Sequence, residues 1–271
     1  MSRLLRRQVA LPSDHGSWGF LLSPLLIGLF AGGRWTTVSL YLVLAALSAF
    51  LIRQPITTII KIYSERRSRD DLDAAIFWTI VYGGIGLLHV AALVARGFGH
   101  LLYLAIPGLP VFAWHLYLVS RRTERRQLMV QLVGAGTLAL SAPAAMWVGL
   151  GRPEPIGWLL WLLTWAQSAA AILHAYLGLR QRTMKSAPAI GVRLRMGRRA
   201  LVLTSCSLLG ALGFCVSGAV PRWLFVPYAL QWTETLRATL RPAIGAKPQA
   251  IGYRQLAVSA LFTVLFILAW R

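Results

Sequence analysis

Apolar segments of close to 20 residues recur along almost the whole chain, and short polar segments rich in arginine separate them. A segment of about 20 apolar residues can cross the hydrocarbon core of a bilayer as one helix. Nine such segments can be placed, at residues 18–33, 36–52, 73–94, 97–119, 128–150, 156–178, 200–219, 222–240 and 256–270. The pattern therefore predicts an all-α integral membrane protein, in which residues 1–271 form a single polytopic domain with about nine transmembrane helices.

The basic residues agree with nine spans and predict their orientation. Of 28 lysines and arginines, 23 fall in alternate loops on one side, and the other side has only Arg34, Arg96, Arg152, Arg222 and Arg271. Cytoplasmic loops collect lysine and arginine, so we expect a multi-pass protein of the cytoplasmic membrane with its N-terminus inside and its C-terminus outside. Polybasic loops also attract anionic lipids, so the net charge of +20 requires no nucleic acid partner.

Two of the predicted cytoplasmic loops are long enough to carry chemistry, at residues 53–72 and 179–199. In the first, an apolar segment with a polar rim at residues 56–63 predicts a short interfacial helix. In the second, Pro188 and Gly191 lie between basic clusters, which favours an irregular loop. Any functional site is therefore expected to face the cytoplasm.

The opening residues 11–20 have the sequence Leu-Pro-Ser-Asp-His-Gly-Ser-Trp-Gly-Phe, and Pro24 and Gly28 follow. This segment resembles the Pro-x-Glu-His-Gly-Ala-Trp, Pro and Gly pattern that opens the YwiC-like family of bacterial membrane proteins. Asp14 stands where that pattern usually has glutamate. The basic end of the sixth predicted span, residues 179–182, is also similar.

The nine spans, their orientation and the two long cytoplasmic loops also resemble the UbiA superfamily of intramembrane prenyltransferases. In that family, Asp-rich motifs in these two loops hold Mg²⁺ against a prenyl pyrophosphate. The resemblance implies a UbiA-like bundle, with Asp70 and Asp71 as a remnant metal site and Mg²⁺ as a candidate cofactor, while the residues themselves leave the cofactor unknown. The second loop contains no carboxylate and instead has Arg180 and further cations, which can bind phosphate directly.

The candidate site residues are those whose chemistry suits a cytoplasm-facing cavity. His174 lies near the inner end of span six, and Glu234 is the one acid well inside an apolar run. An ionisable group inside a membrane span suggests a functional site, so we predict these two as catalytic residues that handle a proton. The predicted phosphate-binding residues are His15, Arg53, Arg180 and Arg241. The structural alternatives are ordinary capping for His15, hydrogen bonds at helix ends for the histidines, and an ion pair with Arg237 for Glu234.

Three classes of function remain open at this stage, and the sequence does not decide whether the protein is an enzyme. The leading hypothesis is a divergent UbiA-like transferase, or a non-catalytic relative, that binds a membrane lipid or an isoprenoid phosphate. The second is a transporter or ion-coupled carrier, and the third is a membrane assembly factor without chemistry. Haem binding through two histidines is a weaker alternative, since no helix carries the same-face pair of histidines that a two-haem bundle needs.

Overall fold

The protein is a bundle of α-helices in a computed structural model that describes residues 4–12, 15–121 and 128–271. The helices are α1 (Arg7–Ala10), α2 (His15–Ala31), α3 (Thr37–Leu51), α4 (Arg53–Tyr63), α5 (Leu72–Ala95), α6 (Ala105–Ser120), α7 (Leu128–Ala139), α8 (Ser141–Leu150), α9 (Ile156–Gln181), α10 (Ile190–Val216), α11 (Phe225–Leu240) and α12 (Pro248–Trp270). Short 3₁₀ helices, Arg69–Asp71 and Gly99–Leu104, precede α5 and α6.

Each predicted span coincides with helix in the described part of the chain. Seven helical segments there are long and apolar enough to cross a membrane: Thr37–Tyr63, Arg69–Ala95, Gly99–Ser120, Leu128–Leu150, Ile156–Gln181, Ile190–Val216 and Pro248–Trp270. The two other predicted spans correspond to shorter helices, the apolar α2 and the more polar α11. The all-α, multi-pass class is thus confirmed, whereas the number of nine crossings and the sides of the termini stay predictions.

The two long loops contain more helix than the sequence suggested. The helix predicted in the first loop is present as α4, which continues almost directly from α3. The irregular conformation predicted for the second loop is wrong over most of its length, because α9 extends to Gln181 and α10 begins at Ile190. Arginine, leucine and methionine are good helix formers, and they fill residues 193–196 directly after the proline-containing segment.

Helices α2 and α8 approach each other closely in the interior of the bundle. Every residue of α8 from Ser141 to Gly149 is buried. A Cβ atom on Gly28 would lie only 2.8 Å from Ala142 Cα, and one on Gly149 would lie 2.7 Å from Gly32 Cα. Small residues allow membrane helices to approach closely and to gain van der Waals contact that larger side chains would prevent. Gly28, the last glycine of the opening motif, thus allows α2 and α8 to cross at close distance.

Tryptophan side chains join α9 to its neighbours in the outer half of the bundle. Trp161 Nε1 donates a hydrogen bond to the Gly136 carbonyl (2.8 Å), and Trp165 Nε1 donates to the Leu132 carbonyl (2.8 Å). Both acceptors belong to α7, and the two indole rings stack with their centroids 5.1 Å apart. Trp161 and Trp165 therefore pack α9 against α7.

Nine crossings require that the chain starts and ends on opposite sides of the membrane. Topology can be measured with fused reporters that are active on only one side of the membrane. We expect them to place the N-terminus inside and the C-terminus outside. A fusion in the 182–189 segment between α9 and α10 serves as an internal reference and should behave like the N-terminal fusion. Termini on the same side would show that α2 or α11 does not cross.

Candidate functional site

Helices α9, α11 and α12 pack against one another, and their inner ends carry a group of charged side chains. We use inner end for the end of the bundle at which α9 and α11 finish and α12 begins, the predicted cytoplasmic side. Glu234 Oε1 on α11 lies 2.5 Å from Arg254 Nε on α12, and Glu234 Oε2 lies 3.8 Å from Arg237 Nη1. His174 on α9 is buried and within electrostatic range of Glu234 and Arg254. The two predicted catalytic residues are thus neighbours, although 60 positions separate them in the sequence.

Arg254 is the member of this group that the sequence analysis missed. The ninth span was predicted to begin at residue 256, which left Arg254 in a loop, but α12 already begins at Pro248. Proline at the first helical position is a common start of a helix, so Pro248 was the available signal. The earlier start places Arg254 in the second turn of α12, where it faces α11.

Arg237 and Arg241 lie one helical turn apart at the inner end of α11 and line a shallow groove of about 390 Å³. Thr233, Leu236 and Leu240 complete its lining. Apolar side chains beside two guanidinium groups suit an amphiphile with a negatively charged head. We refer to His174, Glu234, Arg237, Arg241 and Arg254 as the α9–α11–α12 site.

A layer of buried amides lies next to this site, one turn further into the bundle. Gln231 Nε2 donates to the Gln167 backbone carbonyl (2.9 Å), and Gln167 Nε2 donates to Ser259 Oγ (3.4 Å). Gln231 is only 5% exposed, and its Oε1 atom has no hydrogen-bond partner among the described residues. Further out, Tyr228, Phe262 and Phe266 close the interface with a buried aromatic cluster. The interface of α9, α11 and α12 is therefore polar in its inner half and apolar in its outer half.

The other three predicted binding residues lie on α9, α4 and α2. Arg180 is exposed near the end of α9. The Arg53 guanidinium lies 5.7 Å from the centroid of the Phe50 ring, and its helix α4 packs against α1, α3, α5 and α6. His15 begins α2, but its side chain is outside the described part of the chain. Of the six predicted catalytic and binding residues, His174 and Glu234 are thus close to each other, and Arg241 lies about two helical turns beyond Glu234 along α11, where it lines the groove.

The predicted metal ligands Asp70 and Asp71 have other partners. Asp71 Oδ1 lies 2.5 Å from Arg6 Nη1, and its Oδ2 accepts a hydrogen bond from Arg67 Nε at 2.6 Å. Asp70 is exposed and accepts a hydrogen bond from Ser68 Oγ at 2.9 Å. Among the described residues, no group of three or more His, Cys, Asp or Glu side chains is arranged to hold a metal ion. Asp71 in this arrangement does not fit a Mg²⁺ site, because both of its oxygens already bind cationic groups.

A second basic depression lies where the chain turns from α4 to α5. Its volume is about 680 Å³, and its lining consists of Ile62, Tyr63, Glu65, Arg66, Arg67, Ser68, Arg69 and Leu72. Arg67 is held by Asp71, and Arg66 Nη2 donates to the Val119 carbonyl of α6. Two of its three arginines are therefore bound to other groups of the protein.

Comparison with known proteins identifies the first half of the chain. Residues 11–146 match the family model described as YwiC-like protein. A relative from Bacillus subtilis (strain 168), named Uncharacterized protein YwiC, is 26% identical over 154 residues, which cover 56% of this chain and 59% of the relative. The match thus spans less than two thirds of that relative, and no solved structure matches the chain. The family region holds the α2–α8 crossing but ends before α9. On this match, the chain belongs to the YwiC-like family.

Proposed function

We propose that this protein binds the phosphate group of an anionic or isoprenoid lipid at the cytoplasmic face of the cytoplasmic membrane. The binding residues are those of the α9–α11–α12 site, and the protein is a divergent relative of the UbiA-like transferases. The observation that carries the proposal is the partly apolar groove lined by Arg237 and Arg241 on α11, together with Arg254 of α12, which shares the carboxylate of Glu234 with Arg237.

Charge and shape both favour such a ligand. Three arginines against the single carboxylate of Glu234 leave the site with a net positive charge. Hydrogen bonds between guanidinium and phosphate are charge-assisted and stronger than neutral ones. Leu236 and Leu240 line the groove beside the arginines, so a hydrocarbon chain can lie along α11 while its phosphate faces the guanidinium groups.

The buried His174 and Glu234 give the site a means to handle a proton. A neutral imidazole accepts a proton and an imidazolium donates one, so a histidine close to a carboxylate can act as a general acid or base. His174 is buried and the side chain of Glu234 is 13% exposed, whereas the side chains of Arg254 and Arg237, which pair with Glu234, are 42% and 57% exposed. In a transferase, this pair would activate the accepting hydroxyl while the arginines hold the phosphate.

Native mass spectrometry of the detergent-purified protein tests binding directly. We expect short-chain phosphatidic acid and farnesyl monophosphate to bind to the unmodified protein. The double variant Arg237→Gln/Arg241→Gln is expected to bind at least about tenfold more weakly, because each hydrogen bond to a charged group contributes about 1.5–3 kcal/mol. The same titration on Arg180→Gln shows whether that residue also contacts the ligand.

The matched control is Arg195→Gln/Arg198→Gln, which removes two exposed arginines from α10 and so changes the net charge by the same amount. Its affinity should stay within about twofold of the unmodified protein, as expected for charges screened by solvent. Equal losses in both double variants would mean that general surface charge attracts the lipid, and would contradict a defined site.

The buried amide layer favours a second candidate function, that of an ion-coupled carrier. An unpaired acceptor such as Gln231 Oε1 is costly in the membrane interior, and it would be satisfied by water or a small cation that enters past Glu234. Proteoliposomes that contain the purified protein test this function. Uptake into the liposomes that requires a cation, and that Gln231→Leu abolishes, would support a carrier. Sealed liposomes that show no such uptake would contradict it.

A further inference from the structure

Glu234 is the one acidic group among the arginines of the α9–α11–α12 site. Its side chain is 13% exposed, whereas those of Arg254 and Arg237 are 42% and 57% exposed. The carboxylate is therefore more shielded from water than the guanidinium groups, and its Oε1 atom lies only 2.5 Å from Arg254 Nε. Any anion that contacts Arg254 is also repelled by Glu234.

This repulsion depends on the charge of the ligand. Coulomb energy is proportional to the product of the two charges, so Glu234 opposes a doubly charged phosphomonoester twice as strongly as a singly charged phosphodiester at the same position. The energy of binding changes linearly with the ligand charge, and the binding constant changes exponentially. If removal of the carboxylate raises the binding constant of the monoanion by a given factor, the binding constant of the dianion should therefore rise by the square of that factor.

We propose that Glu234 sets the charge selectivity of this site, lowering its preference for doubly charged phosphomonoesters relative to singly charged phosphodiester lipids. The inference rests on the proposed function, because it assumes that a lipid phosphate binds at the arginines. The residue acts on the ligand through its charge. This role needs the negative charge of the carboxylate and does not require Glu234 to transfer a proton.

Glu234→Gln tests the proposal, since glutamine keeps the size of the side chain and an oxygen that can accept a hydrogen bond from Arg254. The probes are dihexanoyl phosphatidic acid and dihexanoyl phosphatidylglycerol, titrated above about pH 8, where a phosphomonoester carries close to two charges. We expect the substitution to raise the affinity for the phosphatidylglycerol about fivefold and for the phosphatidic acid about 25-fold. Glu234→Asp, which retains the charge, should keep the ratio of the unmodified protein.

The control is Glu154→Gln, which removes a carboxylate paired with Arg152 in the segment between α8 and α9, at the other end of the bundle. It should leave both affinities unchanged. Equal changes for the two probes in Glu234→Gln, or a loss of affinity, would overturn the selectivity role while leaving the proposed function in place. Failure of both probes to bind any variant would overturn the proposed function itself.

Discussion

Substitution of Gly28 by alanine is expected to destabilise the folded protein strongly, although it adds only one methyl group. The new Cβ would overlap the carbonyl oxygen of Ala142 and lie 2.8 Å from its Cα. These are backbone atoms of a fully buried helix, so neither can turn aside as a flexible side chain would. Overpacking in a core commonly costs about 1–3 kcal/mol, and we expect the upper end of this range. The melting temperature and the yield of monodisperse protein in detergent measure the effect.

Gly84→Ala is the matched control for this substitution. Gly84 lies within α5, another apolar helix, and a Cβ atom there would have no neighbour within 4 Å. Alanine has a higher helix propensity than glycine, so this variant should be as stable as the unmodified protein or slightly more so. A Gly28→Ala protein with an unchanged melting temperature would contradict a close α2–α8 crossing.

The hydrophobic pattern predicted the helices well because the bilayer sets their length. Local sequence is sufficient for this purpose, since each membrane helix satisfies its own backbone hydrogen bonds. The helix at residues 190–199 was not anticipated, because Pro188 and Gly191 are typical of loops and the segment has no apolar run. Helix propensity and the packing of α10 against α9 and α11 decide the conformation there.

The candidate site could be predicted only in part. Glu234 is conspicuous as an acid in an apolar span, and His174 as a histidine near a helix end, but their proximity follows from the packing of α9, α11 and α12. The ion pair with Arg254 was missed because it depends on where α12 begins. The local pattern of apolar and polar residues does not reveal contacts between distant segments. The sequence therefore suggested only Arg237 as a partner for Glu234.

Asp71 is a second residue whose partners could not be predicted from local sequence. A cluster of aspartates suggested a metal site, yet Asp71 pairs with Arg6, which lies 65 positions earlier in the sequence. The N-terminal segment is held against α5 by further hydrogen bonds: Tyr82 Oη donates to the Ala10 carbonyl (3.1 Å) and Trp78 Nε1 donates to the Leu4 carbonyl (3.0 Å). Asp71 thus belongs to a contact that fixes the start of the chain.

Asp71→Asn is therefore expected to loosen the N-terminal segment and to lower the stability of the protein. The substitution removes the charge that two arginines share, and it leaves Arg67 without an anionic partner. Breaking a partly buried ion pair by removal of one partner costs about 2 kcal/mol or more. We expect a lower melting temperature and faster cleavage within residues 4–12 by a protease of limited specificity, followed by mass spectrometry.

Asp73→Asn provides the control, because Asp73 is exposed in the first turn of α5 and its loss should cost at most about 0.5–1 kcal/mol through the helix dipole. Titration with Mg²⁺ separates the ion-pair role of Asp71 from the metal-binding role that the sequence predicts. If Asp71 serves only as the acceptor for two guanidinium groups, the protein should have the same melting temperature with and without Mg²⁺. A stabilisation by Mg²⁺ that Asp70→Asn and Asp71→Asn both abolish would instead establish the metal site, since these carboxylates would then have to release their present partners to bind the ion.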